Sequence, residues 1–423
     1  MSDPRQVLVV GGGAAGLLCA GFAARAGCAV TVAEAKARPA RKILVTGKGR
    51  CNLTNNCTPE EFLREVHGGA KFLSGAIRGW TPQDTMALFE DLGVPLKTER
   101  GRRVFPVSDR AMDVADALTR FCRESGVRIR QGRARALVMD GDRVTGVRCQ
   151  DGSVLSGAAV VLATGGMSYP ATGSDGSGYG LARQAGHRIT PLRPSLVRVD
   201  CRDPFCADLS GLSLKNVALS LWRQGGKKPL YKELGEMLFT HTGVSGPLVL
   251  SASAYMDGAA GDYAMAVDLK PGLTPEQLDA RLLRDLDDNK NRDLGNTLRL
   301  LLPRAMVPVV LALCAIPPDT KGHQLTRAQR LRLAETVKGF PLHPLSLGPM
   351  EEAVVTAGGV ALEEVDPKTM ASRLVGGLYF AGEMLDLDGY TGGYNLQIAF
   401  CTGRAAARGA AAQILLQEEP KNP

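Results

Sequence analysis

Hydrophobic and polar positions alternate along the opening of the chain in a way that sets out its elements one by one. Gln6 to Val10 (QVLVV) is an apolar run of strand length. Gly11-Gly-Gly13-Ala-Ala-Gly16 follows at once, and Leu17 to Ala26 is rich in Ala and Leu, as a helix requires. Gly27 stops that helix, and a second β-rich run from Ala29 to Val32 leads to Glu34. The pattern therefore predicts strand, glycine turn, helix, strand and acid.

Further on, helices are predicted from Thr81-Pro82 to Leu92 and from Ser108 to Glu124, with Thr81 and Ser108 as N-caps. Val127 to Ile129, Ala134 to Met139 and Arg143 to Cys149 read as strands, with Asp140-Gly141-Asp142 as a hairpin turn. An apolar strand, Ala158 to Leu162, runs into Ala163-Thr164-Gly165-Gly166. The character changes from Pro191 to about Pro344. Short β-like runs (Leu196–Val199, Val217–Leu221, Ala264–Leu269) give way to helical stretches at Thr274–Asp288, Leu298–Ala315 and Thr326–Val337. After Met350 the first style returns, with Leu378-Tyr-Phe-Ala as a strand and an Ala-rich helix opened by Gly389-Tyr390-Thr391-Gly392-Gly393-Tyr394. The expected architecture is α/β. A Rossmann-like dinucleotide-binding domain is split between residues 1–190 and 346–423, around a β-barrel-like and helical module at 191–345 that serves as substrate or cap domain.

Chemistry enters through the glycines. Gly11 allows a tight turn, Gly13 lets the backbone approach a pyrophosphate, and Gly16 lets helix and strand pack closely. The helix N-terminus offers N–H groups and its positive dipole end to phosphate. Glu34 is placed to accept from a ribose hydroxyl. These features together predict a bound adenine dinucleotide. Arg41-Lys42 and the run Thr46-Gly47-Lys48-Gly49-Arg50-Cys51-Asn52 suit a loop that wraps a phosphate and a polar ring.

Composition changes the picture only slightly. Of 423 residues, 44% are hydrophobic and 22% charged, ordinary values for a globular protein. The net charge of +8 invites a nucleic-acid reading, but Lys and Arg are scattered and few aromatics are interleaved with them. A basic surface that attracts anionic cofactors or carboxylates fits better. Ten cysteines show no C-x-x-C, so free thiols in a reducing cytoplasm are expected and no metal site. The first 24 residues have a signal-like outline that the glycine fingerprint explains better. No stretch reaches membrane-spanning length without interruption.

Six segments in order resemble the BaiN/RdsA-type family of FAD-dependent oxidoreductases, related to YhiN-type flavoproteins. They are VVGGGAAGL (9–17), RKILVTGKGRCNLTN (41–55), VVLATGG (160–166), GEMLFTHTGVSGP (235–247), EAVVTAGGV (352–360) and LYFAGEMLDLDGYTGGYNLQIAF (378–400). The resemblance covers nearly the whole chain and departs at Arg373, where the family carries Lys. It implies FAD. Adenine and ribose contacts map to Glu34, Ala35 and Ala134, and pyrophosphate contacts to Gly11, Gly13, Ala14, Ala15, Gly16, Arg41 and Lys42. Flavin contacts map to Thr46, Gly47, Gly49, Arg50, Cys51, Asn52 and Leu53, and to Gly382, Glu383, Asp386, Gly392, Gly393, Tyr394, Asn395, Leu396 and Gln397. Ala163, Thr164, Gly165 and Gly166 close over the cofactor.

The expected reaction is reduction of an activated C=C bond, an enone of 3-oxo-Δ4 steroid or bile-acid type, with NADH or NADPH as transient donor. His241, Tyr390 and Tyr394 are the candidate proton donors or ketone-binding groups, chosen by chemistry and by their places in motifs. Two alternatives stand beside it. One is an amine oxidase of aminoacetone type that makes peroxide, and the other a non-catalytic or RNA-associated flavoprotein. The expected partner is a small-molecule substrate, without nucleic acid or membrane insertion, for a monomer or homodimer.

Overall fold

The computed structural model describes residues 5–416. Residues 1–4 and 417–423 of the expected first domain lie outside the described residues. The chain divides into two units, one formed by residues up to 195 and from 350, the other by Leu196–Pro349. The corresponding expectations were boundaries after 190 and 345.

The first unit is built on β1 (Gln6–Val10), α1 (Ala14–Arg25), β2 (Ala29–Glu34), β3 (Arg128–Gln131), β4 (Ala159–Leu162) and β5 (Leu378–Phe380). These strands form one sheet in the order β5-β4-β1-β2-β3, parallel throughout. Val7 to Val10 and Ala159 to Leu162 are buried without a break. A parallel strand covered on both faces has no wet side, so its sequence is continuously apolar rather than alternating. The order reverses at β1, where the chain turns first to β2 and later to β4. A crevice opens at the carboxyl ends of the strands at such a point.

The last helix, α2 (Tyr394–Leu416), lies against α1. Gly403 makes the approach possible, since a Cβ there would sit 2.5 Å from the Ala15 carbonyl oxygen. A three-stranded antiparallel sheet (Ala134–Asp140, Arg143–Cys149, Val154–Ser156) carries the predicted hairpin turn. Two small pairings join distant segments: Val66–His67 with Asp388–Gly389, and Arg193–Ser195 with Val355–Ala357. Helix Pro82–Asp91 starts on Thr81, whose hydroxyl accepts from the Asp84 N–H in a capping box. Helix Ala111–Glu124 begins later than predicted, after Arg110. Asp109 adopts a left-handed φ of 55°, which breaks the helical path between Ser108 and the first turn.

The second unit holds a seven-stranded antiparallel sheet with its own core. Its order is Phe340–Leu342, Tyr263–Asp268, Ser213–Arg223, Tyr231–Phe239, Gly243–Ser245, Val199–Cys201 and Pro344–Leu347. The two edge strands are separated in sequence by His343 alone, so the sheet curls until its edges approach. Helices Pro275–Asp288 and Arg327–Lys338 pack through Leu278, Leu282, Leu333 and Val337. The apolar stretch 298–315 is not one helix. It breaks before Pro303 and resumes at Met306–Leu313, with Pro308 in the first turn where its missing N–H costs little. Among the described residues, no helix is long and apolar enough to cross a membrane.

Candidate functional site

The carboxyl ends of β1 and β4 and the N-termini of α1 and α2 open on one cavity in the first unit. It holds about 1320 Å³ of empty space counted to its open mouth. The three fingerprint glycines have three different surroundings. Gly11 has φ +104° and packs against Ala163, whose carbonyl oxygen would lie 2.4 Å from an added Cβ. Gly16 packs against the Gly11 carbonyl, whose oxygen would lie 1.9 Å from an added Cβ. Gly13 faces open space, with no atom within 4 Å of a Cβ built there. The first residues of α1, whose N–H groups have no partner inside the helix, line this space. Glu34 ends β2 at the cavity, where its carboxylate accepts from the N–H groups of Gly12 and Lys36, each at 2.7 Å.

The cavity walls bring together Gly11, Gly13, Ala14, Ala15, Glu34, Ala35, Arg41, Lys42, Thr46, Ala134, Ala163, Thr164, Gly165, Gly382, Glu383, Asn395 and Leu396. Other expected residues lie behind the walls or beside them. Gly16 and Gly166 are packing positions, the latter against Thr356 and Glu383. Cys51 and Leu53 are buried. Gly47 touches the backbone of Asn52, whose buried side-chain oxygen has no hydrogen-bond partner. Gly49 and Asp386 are not part of the lining. Arg50 stacks over Phe105 and pairs with Glu99 and Asp109, so its charge is already matched by carboxylates.

The start of α2 is braced rather than bare. Asn395 accepts from the Gly389 N–H at 2.8 Å and donates to the Gly389 carbonyl at 2.8 Å. Gln397 is fully buried, accepts from the Thr54 hydroxyl at 2.8 Å and donates to the Trp80 carbonyl at 3.1 Å. Both amide side chains are used by the protein, and Asn395 and Leu396 line the cavity at the start of the helix. Gly393 passes so close to Thr54 that a Cβ would meet its carbonyl oxygen at 2.3 Å, and a Cβ on Gly392 would meet the Tyr394 ring at 3.1 Å. Tyr394 leans on Phe62 with ring centroids 5.2 Å apart.

One ion pair and two groups of residues at this site escaped the sequence reading, although Glu383 itself was expected there. Glu383 is more than a lining residue. It pairs with Lys42 at 2.6 Å and also accepts from the Ser168 hydroxyl at 3.0 Å and the Thr356 N–H at 2.9 Å. Lys42 and Glu383 are 341 positions apart, a separation no local pattern encodes. The wall also includes Thr172, Gly173, Ser174 and Ser177. The small-polar run T-G-S-D-G-S at 172–177 was the available signal for these. Gly132 and Arg133 line the cavity beside Ala134, with Arg133 paired to Asp175 at 2.5 Å.

Behind the wall, His67, Tyr390, Asp388, Ser195 and Arg193 form a second polar cluster. Asp388 sits opposite His67 in the two-residue strand pair and accepts from the Ser195 hydroxyl at 2.6 Å. The Tyr390 ring meets His67 edge to face, with centroids 4.8 Å apart. Burial pushes the Asp388 carboxyl up to about 6, against the opposing pull of Ser195 and Arg193. Burial, with the nearby Arg193 charge, pushes His67 down to about 4. The remaining expected catalytic residue, His241, lies exposed in the bend between Phe239 and Gly243 of the second unit. All ten cysteines are buried free thiols. Among the described residues, no group of three or more His, Cys, Asp or Glu could hold a metal.

A parallel sheet of this order, with a glycine turn and a helix N-terminus at its switch point, defines an FAD-binding Rossmann oxidoreductase fold. The family described as HI0933-like protein Rossmann domain matches residues 5–409, and the chain belongs to it. It is 34% identical to the 3-dehydro-bile acid delta(4,6)-reductase of Clostridium scindens, over 96% of this chain and 99% of that protein. It is 31% identical to the ribosomal RNA dihydrouridine synthase of Escherichia coli K12, over 95% and 97%. Among solved structures, a 3-ketosteroid-delta4-(5alpha)-dehydrogenase from Rhodococcus jostii RHA1 superposes with a TM-score of 0.54. It has 18% identity and covers 96% of each chain, a likeness of fold.

The family implies FAD, and the residues present fit it. The space before Gly13 is open to a phosphate, and Arg41 and Lys42 supply positive charge in the wall. The unpartnered Asn52 oxygen can accept a hydrogen bond.

Proposed function

We propose that the protein is an FAD-dependent reductase of a C=C bond conjugated to a carbonyl, driven by NADH or NADPH. The observation that carries this reading is the full-length identity to two proteins whose names share one reaction type, a bile-acid delta(4,6)-reductase and a dihydrouridine synthase. An enone and the C5=C6 bond of uracil are both polarised by a neighbouring carbonyl. Bound flavin would supply the hydride that such a bond accepts at its β-carbon.

The chain's own residues do the rest. Gly13 and the first turn of α1 receive the pyrophosphate, while Glu34 holds the ribose hydroxyls through the lone pairs its two backbone donors leave free. Lys42 adds positive charge and is itself fixed by Glu383. The start of α2 presents its N–H groups toward the cavity, where negative charge gathers on reduction. The lining between them is largely small and apolar, which limits water around the reacting bond.

Two acceptors compete. A 3-oxo-4-ene steroid fits the expected small-molecule substrate. Uridine in ribosomal RNA is favoured by the second relative and by the net charge of +8, which returns a nucleic-acid substrate to consideration after composition had set it aside. The test is anaerobic. NADH or NADPH is expected to bleach the flavin band, and one of the two acceptors to restore it. Reduction by an amine with peroxide formation in air would overturn the reading in favour of an oxidase.

A further inference from the structure

The reduction needs a proton as well as a hydride, and the exposed turn that carries His241 offers no enclosed donor. The second cluster does. It backs directly onto the cavity wall. Leu387, which precedes Asp388, lines the cavity, as does Val355, the strand partner of Ser195. Asn395, also in the wall, clamps Gly389 by both its amide atoms and donates to the Tyr390 carbonyl at 3.4 Å. The cluster is therefore held one residue behind the cavity by three separate segments of the first unit.

We propose that Asp388 is the proton store of the reductive reaction, working through the Ser195 hydroxyl and set in place by His67 and Arg193. This rests on the C=C reductase reading above. Bound flavin would supply the hydride for the new C–H bond at the β-carbon, and the π pair would move toward the carbonyl and the α-carbon. The α-carbon would take its proton from a water in the cavity, and Asp388 would return that proton to the water through the fully buried Ser195 hydroxyl, leaving Asp388 as carboxylate. Solvent restores that proton between turnovers. The substrate would thus gain one hydride, from bound flavin, and one proton, from the Asp388 store.

Several charges act on Asp388. Arg193 and the Ser195 hydrogen bond favour the carboxylate, while burial, Asp386 and Glu383 favour the acid. Opposed influences of this kind leave a carboxyl able to exist in both forms near neutral pH. Asp388, Ser195 and His67 are positioning residues in this scheme, since none is shown to touch substrate.

The experiment compares the parent holoenzyme with Asp388→Asn, Ser195→Ala and His67→Gln from pH 5 to 9, following the two half-reactions separately by stopped flow. In the parent, reoxidation by the enone or by a uridine-containing rRNA fragment slows as pH rises through about 6. Asp388→Asn is expected to slow reoxidation about 100-fold and to abolish that pH limb, while flavin reduction by NAD(P)H stays within about twofold. Ser195→Ala slows reoxidation about tenfold and serves as the deciding variant should Asp388→Asn lose its flavin. Reoxidation by these variants at the parental rate, with the pH limb kept, overturns the proposal.

A parent that is reduced but reoxidised by neither acceptor sinks the reductase reading instead. The store is then judged without substrate, by the infrared carboxyl band of the holoenzyme. A band that titrates near pH 6 and disappears in Asp388→Asn upholds it, and one absent from that range overturns it.

Discussion

Glycines that look alike in a motif carry different burdens, and single substitutions should separate them. Gly11 and Gly16 are closed in by carbonyl oxygens, and Gly11 is also held at positive φ. Gly13 is not. Gly11→Ala is expected to lower stability by about 2 kcal/mol or more, through clash and backbone strain, in a thermal melt with or without FAD. Gly13→Val is expected to leave the apoprotein melt within about 0.5 kcal/mol and to weaken FAD binding about tenfold or more, measured by flavin fluorescence.

His67 and Asp388 give a second residue-scale prediction. The folded Asp388 binds its proton more tightly than an unfolded aspartate, so its contribution to stability falls as pH rises from about 4 to about 6. The folded His67 binds its proton more weakly than an unfolded histidine, so its contribution rises between about pH 4 and 6.5. The two slopes oppose each other. His67→Gln should therefore leave stability falling with pH across this window, and Asp388→Asn should leave it rising, in urea titrations at each pH. At this scale the sequence displayed the fingerprint glycines and Glu34 because their roles are local. The ion pair Lys42–Glu383 and the cluster around Asp388 were hidden because each joins segments more than a hundred positions apart.

Among the elements, the start of α2 shows how a helix end is aimed. Gln397 ties it to Thr54 and Trp80, and Asn395 ties it to the strand Asp388–Gly389. Gln397→Ala strands a buried hydroxyl and a part-buried carbonyl, and should cost about 2 to 3 kcal/mol in chemical unfolding. Gln397→Glu would test the same site with charge, and its flavin affinity should fall further because the negative group lies under the helix end. Strands β1, β2 and β4 and the capped helices were legible because apolar runs, N-caps and glycine stops are strong local signals. The pairs 66–67 with 388–389 and 193–195 with 355–357 were not, because two or three residues show no periodicity and their partners are remote. The late start of helix Ala111–Glu124 was missed for a different reason, the left-handed turn at Asp109 in a residue other than glycine.

On the scale of the molecule, each of the two units buries its own apolar set in a separate hydrophobic core. The first unit is nevertheless discontinuous, because residues 196–349 lie between its parts. β5, the Glu383 turn and α2 all come after that insertion, and all of them contribute to the cavity or the sheet that supports it. On a ribosome, the glycine fingerprint emerges first and has no second wall to close against until the final helix has been synthesised. A chain ending at residue 349 should thus fail to retain flavin although it holds the whole dinucleotide motif, as gel filtration followed by absorbance would reveal. Cofactor capture would then be the last act of this protein's biogenesis, and the rate at which it turns yellow would measure how fast the two parts of the first unit find each other.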